Sequence, residues 1–271
     1  MKKYLSIVFL SIILILPGQI IASVSVCSWN LMNFGKSKTD NALDFIASTL
    51  QPFDVIAIEE VVAGPGGAQT VAKLADLMNR KGKSWDYTIS DPTSTSTHKS
   101  ERYAFIWNKS KVSKIGDAWL ERKFNIEIER EPYMAIFKKE GKQFTIACFH
   151  AITKAAKPET EIKYFKFIPS EYPSLNIIFC GDFNCPQSHS VFNSLKSMGY
   201  NTALKNQKTT LRDKCINGDC LASEFDNFFY DRKKVIPEKS EVIQFYRKFS
   251  STKDAKSVSD HLPVVLVFNV K

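Results

Sequence analysis

Three strand-like runs follow one another through the middle of the chain: "YAFIWN" (103–108), "YMAIFKK" (133–139) and "FTIACFH" (144–150). No helical pattern separates them, which excludes simple parallel alternation of strand and helix, because parallel neighbours need long crossovers, usually helical. Earlier and later segments do carry helices. "TDNALDFIASTL" (39–50) places Leu43, Ile46, Ala47 and Leu50 at helical spacing behind a capping Thr39 or Asp40. "GAQTVAKLADLMNR" (67–80) aligns Val71, Leu74, Ala75 and Met78 on one face. "KPETEIKYFKFIPSEY" (157–172) reads as a helix, and "SHSVFNSLKSMG" (188–199) as a short one closed by Gly199. Further strands are expected at "SVSVCSWN" (23–30), "FDVIAIEEV" (53–61), "IIFCGD" (177–182), "FDNFFYD" (225–231), "EVIQFYR" (241–247) and "PVVLVFNV" (263–270). Strands outnumber helices. The pattern predicts an α/β architecture of two mixed sheets packed face to face with helices outside.

No linker rich in Pro, Gly or Ser divides the chain, and no internal repeat is found, so residues 24–271 are expected to form a single domain. The first 22 residues are separate. Lys2 and Lys3 precede an apolar run from Leu5 to Leu16, followed by Pro17, Gly18 and small residues from Ala22 to Ser25. This is the pattern of a secretory signal peptide over 1–22, with cleavage between residues 22 and 25. The alternative is a membrane anchor, for which the run is short. The mature chain is then secreted or periplasmic, without stable membrane insertion. Loss of Lys2 and Lys3 takes the formal net charge from +9 to +7. A basic secreted protein favours anionic partners such as nucleic acid or a phosphate-rich surface. Of the six cysteines, Cys215 and Cys220 flank the turn-like "INGD" and are the expected disulfide, with Cys185 able to compete for either. Cys27, Cys148 and Cys180 fall within apolar strands and read as buried thiols.

Several apolar runs end in a polar residue able to do chemistry. "VCSWN" ends in Asn30, "VIAIEE" in Glu59 and Glu60, "TIACFH" in His150, and "IIFCGDFN" in Asp182 and Asn184. Asp260 and His261 stand just before the last strand. Side chains at i and i+2 of an extended segment point the same way, so Asp182 and Asn184 can face one space. Each position alone has an ordinary explanation as a turn residue or a solvated strand end. Their coincidence is harder to dismiss, because the chain has only four histidines and two of them occur here. Carboxylates and amide oxygens are hard ligands suited to Mg²⁺, Mn²⁺ or Ca²⁺, and no Cys/His cluster has zinc-finger spacing. Two histidines beside a hard cation suit phosphoryl transfer to water: the cation steadies the departing oxyanion, and a histidine–carboxylate pair activates the water.

In order, "SWNLMNFG", "IAIEEV", "ERYAFIW", "REPYMAIF", "CFHA", "GDFN", "FDNFF" and "SDHLPV" resemble the DNase I-like branch of the endonuclease/exonuclease/phosphatase superfamily, over roughly Val24 to Lys271. "GDFN" with "SDHLPV" is fairly specific. "SWNLMNFG" and "REP" point toward secreted members. The resemblance implies a four-layered sandwich with two central mixed β-sheets flanked by helices. It implies a divalent metal, Mg²⁺ or Mn²⁺, at Glu60 with Asn30 and Asp260, Glu59 standing where glutamine is usual. Calcium is left open as a further ion. It implies that His261 activates water with Asp226 as its orienting carboxylate. His150, partnered by Glu101, serves as general acid or phosphate clamp. Asp182 and Asn184 hold the phosphate and the reacting water, and Arg130 contacts phosphate.

The chain departs from that family at the substrate grip. Groove-reading members carry arginine where Val62 stands and a sugar-stacking tyrosine where Lys99 stands. The acidic residue expected two positions after Asn184 is Pro186, and the small paired-cysteine loop before "REP" is absent. Lys99, Arg102 and nearby lysines would replace groove insertion with phosphate attraction, which reads no sequence. "WLERKFNIEIER" (119–130) could contribute, or could be a mixed-charge exposed strand. The expected function is a monomeric, metal-dependent, non-specific endonuclease acting on DNA and possibly RNA. A sphingomyelinase-like phosphodiesterase or a phosphatase is the alternative, and a catalytically dead binding module the third.

Overall fold

The computed structural model describes residues 23–94 and 100–271. The signal segment over 1–22, His98 and Lys99 therefore lie outside the described residues. The chain begins β1 (Val24–Phe34), α1 (Asp40–Leu50), β2 (Val55–Val62), α2 (Pro65–Arg80), β3 (Trp85–Ile89), β4 (Glu101–Asn108), β5 (Ser113–Leu120), β6 (Tyr133–Lys139) and β7 (Lys142–His150). It continues through α3 (Glu159–Ile162), α4 (Ile168–Glu171), β8 (Ile177–Asp182), α5 (Asn193–Ser197), β9 (Tyr200–Thr202), β10 (Leu211–Ile216) and β11 (Asp219–Leu221). It ends with β12 (Asp226–Asp231), β13 (Val235–Val242), α6 (Thr252–Lys256) and β14 (Val264–Val270).

Twelve of these strands form two sheets, ordered β13-β14-β1-β2-β4-β3 and β5-β6-β7-β8-β12-β9. Both are mixed: β1 pairs parallel with β2, and β7 with β8, while the other pairs are antiparallel. Three apolar layers hold four structural layers together. Val26, Val55 and Phe105 of one sheet meet Phe137, Ile146 and Ile178 of the other. Leu43, Ile46, Val71 and Leu74 of α1 and α2 cover the outer face of the first sheet over Trp29 and Ile58. Ile162, Phe165 and Ile168 cover Phe149 and Phe179 of the second. Strands covered on both faces explain the unbroken apolar runs "VIAI" and "IIFC". Thr39 caps α1, its side chain accepting the Ala42 N–H, and Pro65 opens α2 in the first turn, where its missing N–H costs nothing.

The expected helix over 157–172 is instead two short helices, α3 and α4, joined by turns. Pro169 has no N–H to continue the ladder, so a new helix starts beside it. The strand expected at 241–247 is displaced: β13 ends at Val242 and Phe245–Lys248 forms a 3₁₀ turn, packing Phe245 against Trp29 and Phe45. The stretch 119–130 leaves β5 after Leu120 and becomes a run of turns. Cys215 and Cys220 are bonded across the β10–β11 hairpin, and Cys27, Cys148, Cys180 and Cys185 are free and buried. Among the described residues no helix is long and apolar enough to cross a membrane.

Register decides where the polar residues go. In β7–β8 His150 lies opposite Asp182, and in β8–β12 Asp182 lies opposite Asp226. Parallel strands that end, and antiparallel strands that begin, share one rim of the sandwich, and there the chain concentrates its polar side chains.

Candidate active site

A cavity of about 480 Å³ opens at that rim, with Glu60, Glu101, Arg130, His150, Asp182 and His261 in its wall. Two local devices aim these side chains. Along a regular strand Glu59 and Glu60 would face opposite sides of the sheet. Glu59 does point between the sheets, but β2 bulges between Ile58 and Val61, and Glu60 takes φ +59°. That left-handed backbone costs about 1–3 kcal/mol for a non-glycine residue, and it turns the carboxylate into the cavity. In "GDFN" a Cβ on Gly181 would sit 2.0 Å from the Phe149 carbonyl oxygen, so only glycine lets β8 run this close to β7. Asn184, at φ +47°, closes the turn as its N–H donates to Asp182 Oδ1 at 2.8 Å.

Two histidine–carboxylate pairs converge on Asp182. His150 Nδ1 faces the Glu101 carboxylate at 2.9 and 3.0 Å, and its Nε2 lies 3.4 Å from Asp182 Oδ2. His261 Nδ1 faces Asp226 at 2.9 and 3.1 Å, and its Nε2 lies 3.6 Å from the same Asp182 oxygen. A carboxylate on Nδ1 fixes each ring and leaves Nε2 for the reaction. Supporting groups hold the frame. Thr209 Oγ1 donates to Asp226 Oδ2 at 2.6 Å, Tyr103 Oη accepts the His150 N–H at 3.1 Å, and Ser259 Oγ accepts the His261 N–H at 3.0 Å. Tyr103 was legible only as a residue of the strand "YAFIWN", and Thr209 had no signal.

Burial alone would lower both histidine pKa values, but Glu101 raises that of His150 and Asp226 holds that of His261 well above its ordinary value. Glu59, fully buried, accepts from Ser28 Oγ at 2.7 Å and Cys148 Sγ at 2.9 Å, and burial pushes its pKa up to about 8. At neutral pH it is a neutral acid, close in shape to the glutamine that the family resemblance leads one to expect there, with Oε2 buried and without a hydrogen-bond partner. The folded chain therefore holds protons that the unfolded chain releases. Stability from Glu59 is fully present below 4.5 and that from the histidines below 6.5, and each drains as pH rises toward the folded value. Lys38, lowered to about 8 by burial, acts in the opposite sense only above that pH. In chelator, Tm is expected to fall between pH 6.5 and 8, and Glu59→Gln to flatten the fall while keeping activity within about tenfold of the parent. A Glu59→Gln slope equal to the parent's would remove Glu59 from this effect.

The expected metal residues are placed unequally. Glu60 Oε1 and Asp182 Oδ2 share the Asn30 amide, which donates at 2.9 and 3.3 Å. Asn30 Oδ1 accepts the Met32 N–H at 3.0 Å, so Asn30 presents its NH₂ rather than its oxygen to these carboxylates. Asp260 is not in the cavity wall; its Oδ1 is buried without a hydrogen-bond partner. Among the described residues Asp182, Asp226 and His261 bring a ligand atom each within 4.8 Å of one another, a candidate divalent-metal site. Asp226 already serves Thr209 and His261 and does not line the cavity, so Asp182, beside Glu60, is the carboxylate of the three turned to it. These hard oxygen donors and the orphaned Asp260 oxygen fit a hard divalent cation. Arg130 reaches Glu101 at 3.2 Å and the Ala151 carbonyl at the wall. Arg102 does not reach it: its guanidinium donates to the Ala63 and Ser90 carbonyls at 2.8 and 2.7 Å. Asn184 does, donating from Nδ2 to the Ala151 carbonyl at 3.1 Å.

A mixed-sheet sandwich carrying this site belongs to the endonuclease/exonuclease/phosphatase family, whose model matches residues 27–261. Within it, the chain is 26% identical to a deoxyribonuclease of Thioalkalivibrio sp. (strain K90mix), over 95% of this chain and 74% of the relative. It is 25% identical to human deoxyribonuclease gamma, over 93% and 88%. Among solved structures, a mannosyl-6-phosphatase of Bacteroides thetaiotaomicron superimposes with a TM-score of 0.67 at 17% identity, covering 91% of this chain and all of that one. That likeness concerns the fold.

Proposed function

We propose that the chain is a secreted or periplasmic, Mg²⁺- or Mn²⁺-dependent endonuclease, acting as a monomer, that hydrolyses phosphodiester bonds of DNA and also RNA with little sequence preference. The observation that carries the reading is the pair of histidine–carboxylate dyads facing Asp182 across one cavity beside Glu60. Glu60 and Asp182, with Asp260 near, would hold the cation, which supplies charge to polarise the phosphate and stabilise the departing oxygen. In its neutral form, which the positive charge of a bound cation would favour against the pull of Asp226, His261 takes a proton from the attacking water at Nε2, and Asp226 stabilises the imidazolium that results. His150, held by Glu101, gives a proton to the leaving oxygen. Asn184 and Asp182 position phosphate and water, and Arg130 neutralises phosphate charge. Relatives named deoxyribonuclease, matched along nearly the whole chain, support DNA as substrate. The signal pattern and the Cys215–Cys220 disulfide support an oxidising compartment.

Val62, 38% exposed, sits in the cavity wall where a groove-reading arginine would be expected. Attraction to the backbone then dominates, and binding weakens steeply with salt as neutralised phosphates release counterions. The test is a side-by-side assay on duplex DNA, single-stranded DNA, RNA, an inositol phosphate and sphingomyelin at two salt concentrations. Internal nicks in polymer, at comparable rates on the three polymers and with a steep salt dependence, are expected. Hydrolysis confined to sphingomyelin or the small monoester would overturn the nuclease reading.

A further inference from the structure

Beside Arg130 and Thr153 the catalytic cavity adjoins a smaller one of about 240 Å³, bounded by Glu129, Ile152 and Ala156. Glu161, 2% exposed, binds this flank into one piece: its carboxylate accepts the backbone N–H groups of Glu129 at 2.6 Å and Ile152 at 2.9 Å. The next turn of chain carries Tyr164 and Phe167, which with Phe124 form a cluster of three rings, centroids 6.1–6.2 Å apart. Phe124 and Tyr164 are seated on the outer core, and Phe167 is 43% exposed. Lys163 Nζ lies over the Tyr164 ring at 5.2 Å and Lys166 Nζ over the Phe167 ring at 4.9 Å. Lys123 at this edge is paired with Glu171, whereas Lys163 and Lys166 have no carboxylate partner among the described residues.

We propose that Phe124, Tyr164 and Phe167, with Lys163 and Lys166, form a stacking platform for an unpaired polynucleotide strand running from the catalytic cavity past Arg130. The proposal rests on the nuclease reading and adds to it tighter binding of an unpaired strand, seen in Kd and not in the rate on saturating polymer. The lysine stems are flexible, so the ammonium groups over the Tyr164 and Phe167 rings can swing to the phosphates between bases and leave the ring faces, fixed on the core, to any base. A duplex keeps its bases stacked on one another and gains only the charge. The chemistry suits a strand better than an anionic bilayer: the projecting loop tip holds one exposed aliphatic side chain, Ile126, next to the acidic Glu127.

The experiment uses the mature chain in chelator, where binding of a fluorescent single-stranded 12-mer is read without hydrolysis. Phe167→Ala combined with Lys163→Gln and Lys166→Gln is expected to raise Kd about tenfold or more, with a smaller change for the duplex. Phe167→Trp, with the lysines intact, is expected to keep parental affinity. Turnover of bis(p-nitrophenyl) phosphate with Mn²⁺, which is too short to reach the platform, should be unchanged in each variant. A single-strand Kd within twofold of the parent in the folded triple variant overturns the platform. So does binding of phosphatidylserine vesicles that is lost in the variant while oligonucleotide binding is kept. A parent that binds the oligonucleotide through these residues but fails to cut it with metal overturns the nuclease reading and leaves the platform standing. Normal cutting with an unmoved Kd does the reverse.

Discussion

Replacing His261 by alanine is expected to lower kcat on DNA by about 10²- to 10⁴-fold, the usual worth of one general acid–base group, with a circular dichroism spectrum like the parent's. The ring is placed for that loss. Asp226 fixes Nδ1 at 2.9 Å, the Ser259 hydroxyl holds the backbone, and Nε2 is aimed at the cavity. Removing one partner of a buried ion pair can unfold a protein, by about 3–5 kcal/mol, because it strands the other charge. Asp226 has an escape. Burial already raises its pKa, and without the imidazole the carboxyl takes up a proton while keeping the Thr209 hydroxyl as a partner. The fold therefore survives and the chemistry does not. His150→Ala should behave similarly, since Glu101 retains Arg130 at 3.2 Å. His189 is the control: its Nδ1 caps a 3₁₀ turn by accepting the Val191 N–H, and its removal should leave kcat intact. A His261→Ala enzyme within about tenfold of the parent would take that residue out of the mechanism.

Strand ends carried most of what was legible. A run that must be buried on both faces and still ends in Asp-Phe-Asn or in His points to a rim, and register then brings His150, Asp182 and Asp226 together. The two-sheet fold was legible for the same reason, as unbroken apolar runs require cover on both sides. What stayed hidden depends on dihedral angles or on contacts distant in sequence. The Glu60 bulge has no residue signature, because glutamate is not a residue expected at φ +59°. Thr209 reaches Asp226 from a segment with no motif. Arg102 sits beside Glu101 in sequence, but strand alternation sends it to the opposite side, where two carbonyls occupy it. Lys38 looked like one lysine among many. In the fold it is buried, donating to the Val258 carbonyl at 2.6 Å, where Asp260 and Glu60 oppose the pKa fall that burial causes. The helix over 157–172 failed on Pro169, whose meaning competed with an otherwise persuasive apolar spacing.

Asp182→Asn is expected to lower kcat by about 10³-fold or more, because this one carboxylate faces both histidines and belongs to the candidate metal site. It is 1% exposed, and its Oδ2 lies 3.3 Å from Asn30 Nδ2, 3.4 Å from His150 Nε2 and 3.6 Å from His261 Nε2. Asparagine keeps the shape and removes the charge, which separates electrostatics from packing. Two further readouts follow from that charge. Its negative potential helps raise both imidazole pKa values, so histidine resonances followed by NMR in chelator should titrate at lower pH in Asp182→Asn than in the parent. Mn²⁺ binding, read by calorimetry, should weaken at least tenfold, since an amide oxygen replaces an anionic ligand. A purely structural role would move neither quantity in this direction. Loss of kcat with unchanged Mn²⁺ affinity and unchanged histidine titration would mean that Asp182 acts on the substrate alone, and that the cation is held by Glu60 and its neighbours without it.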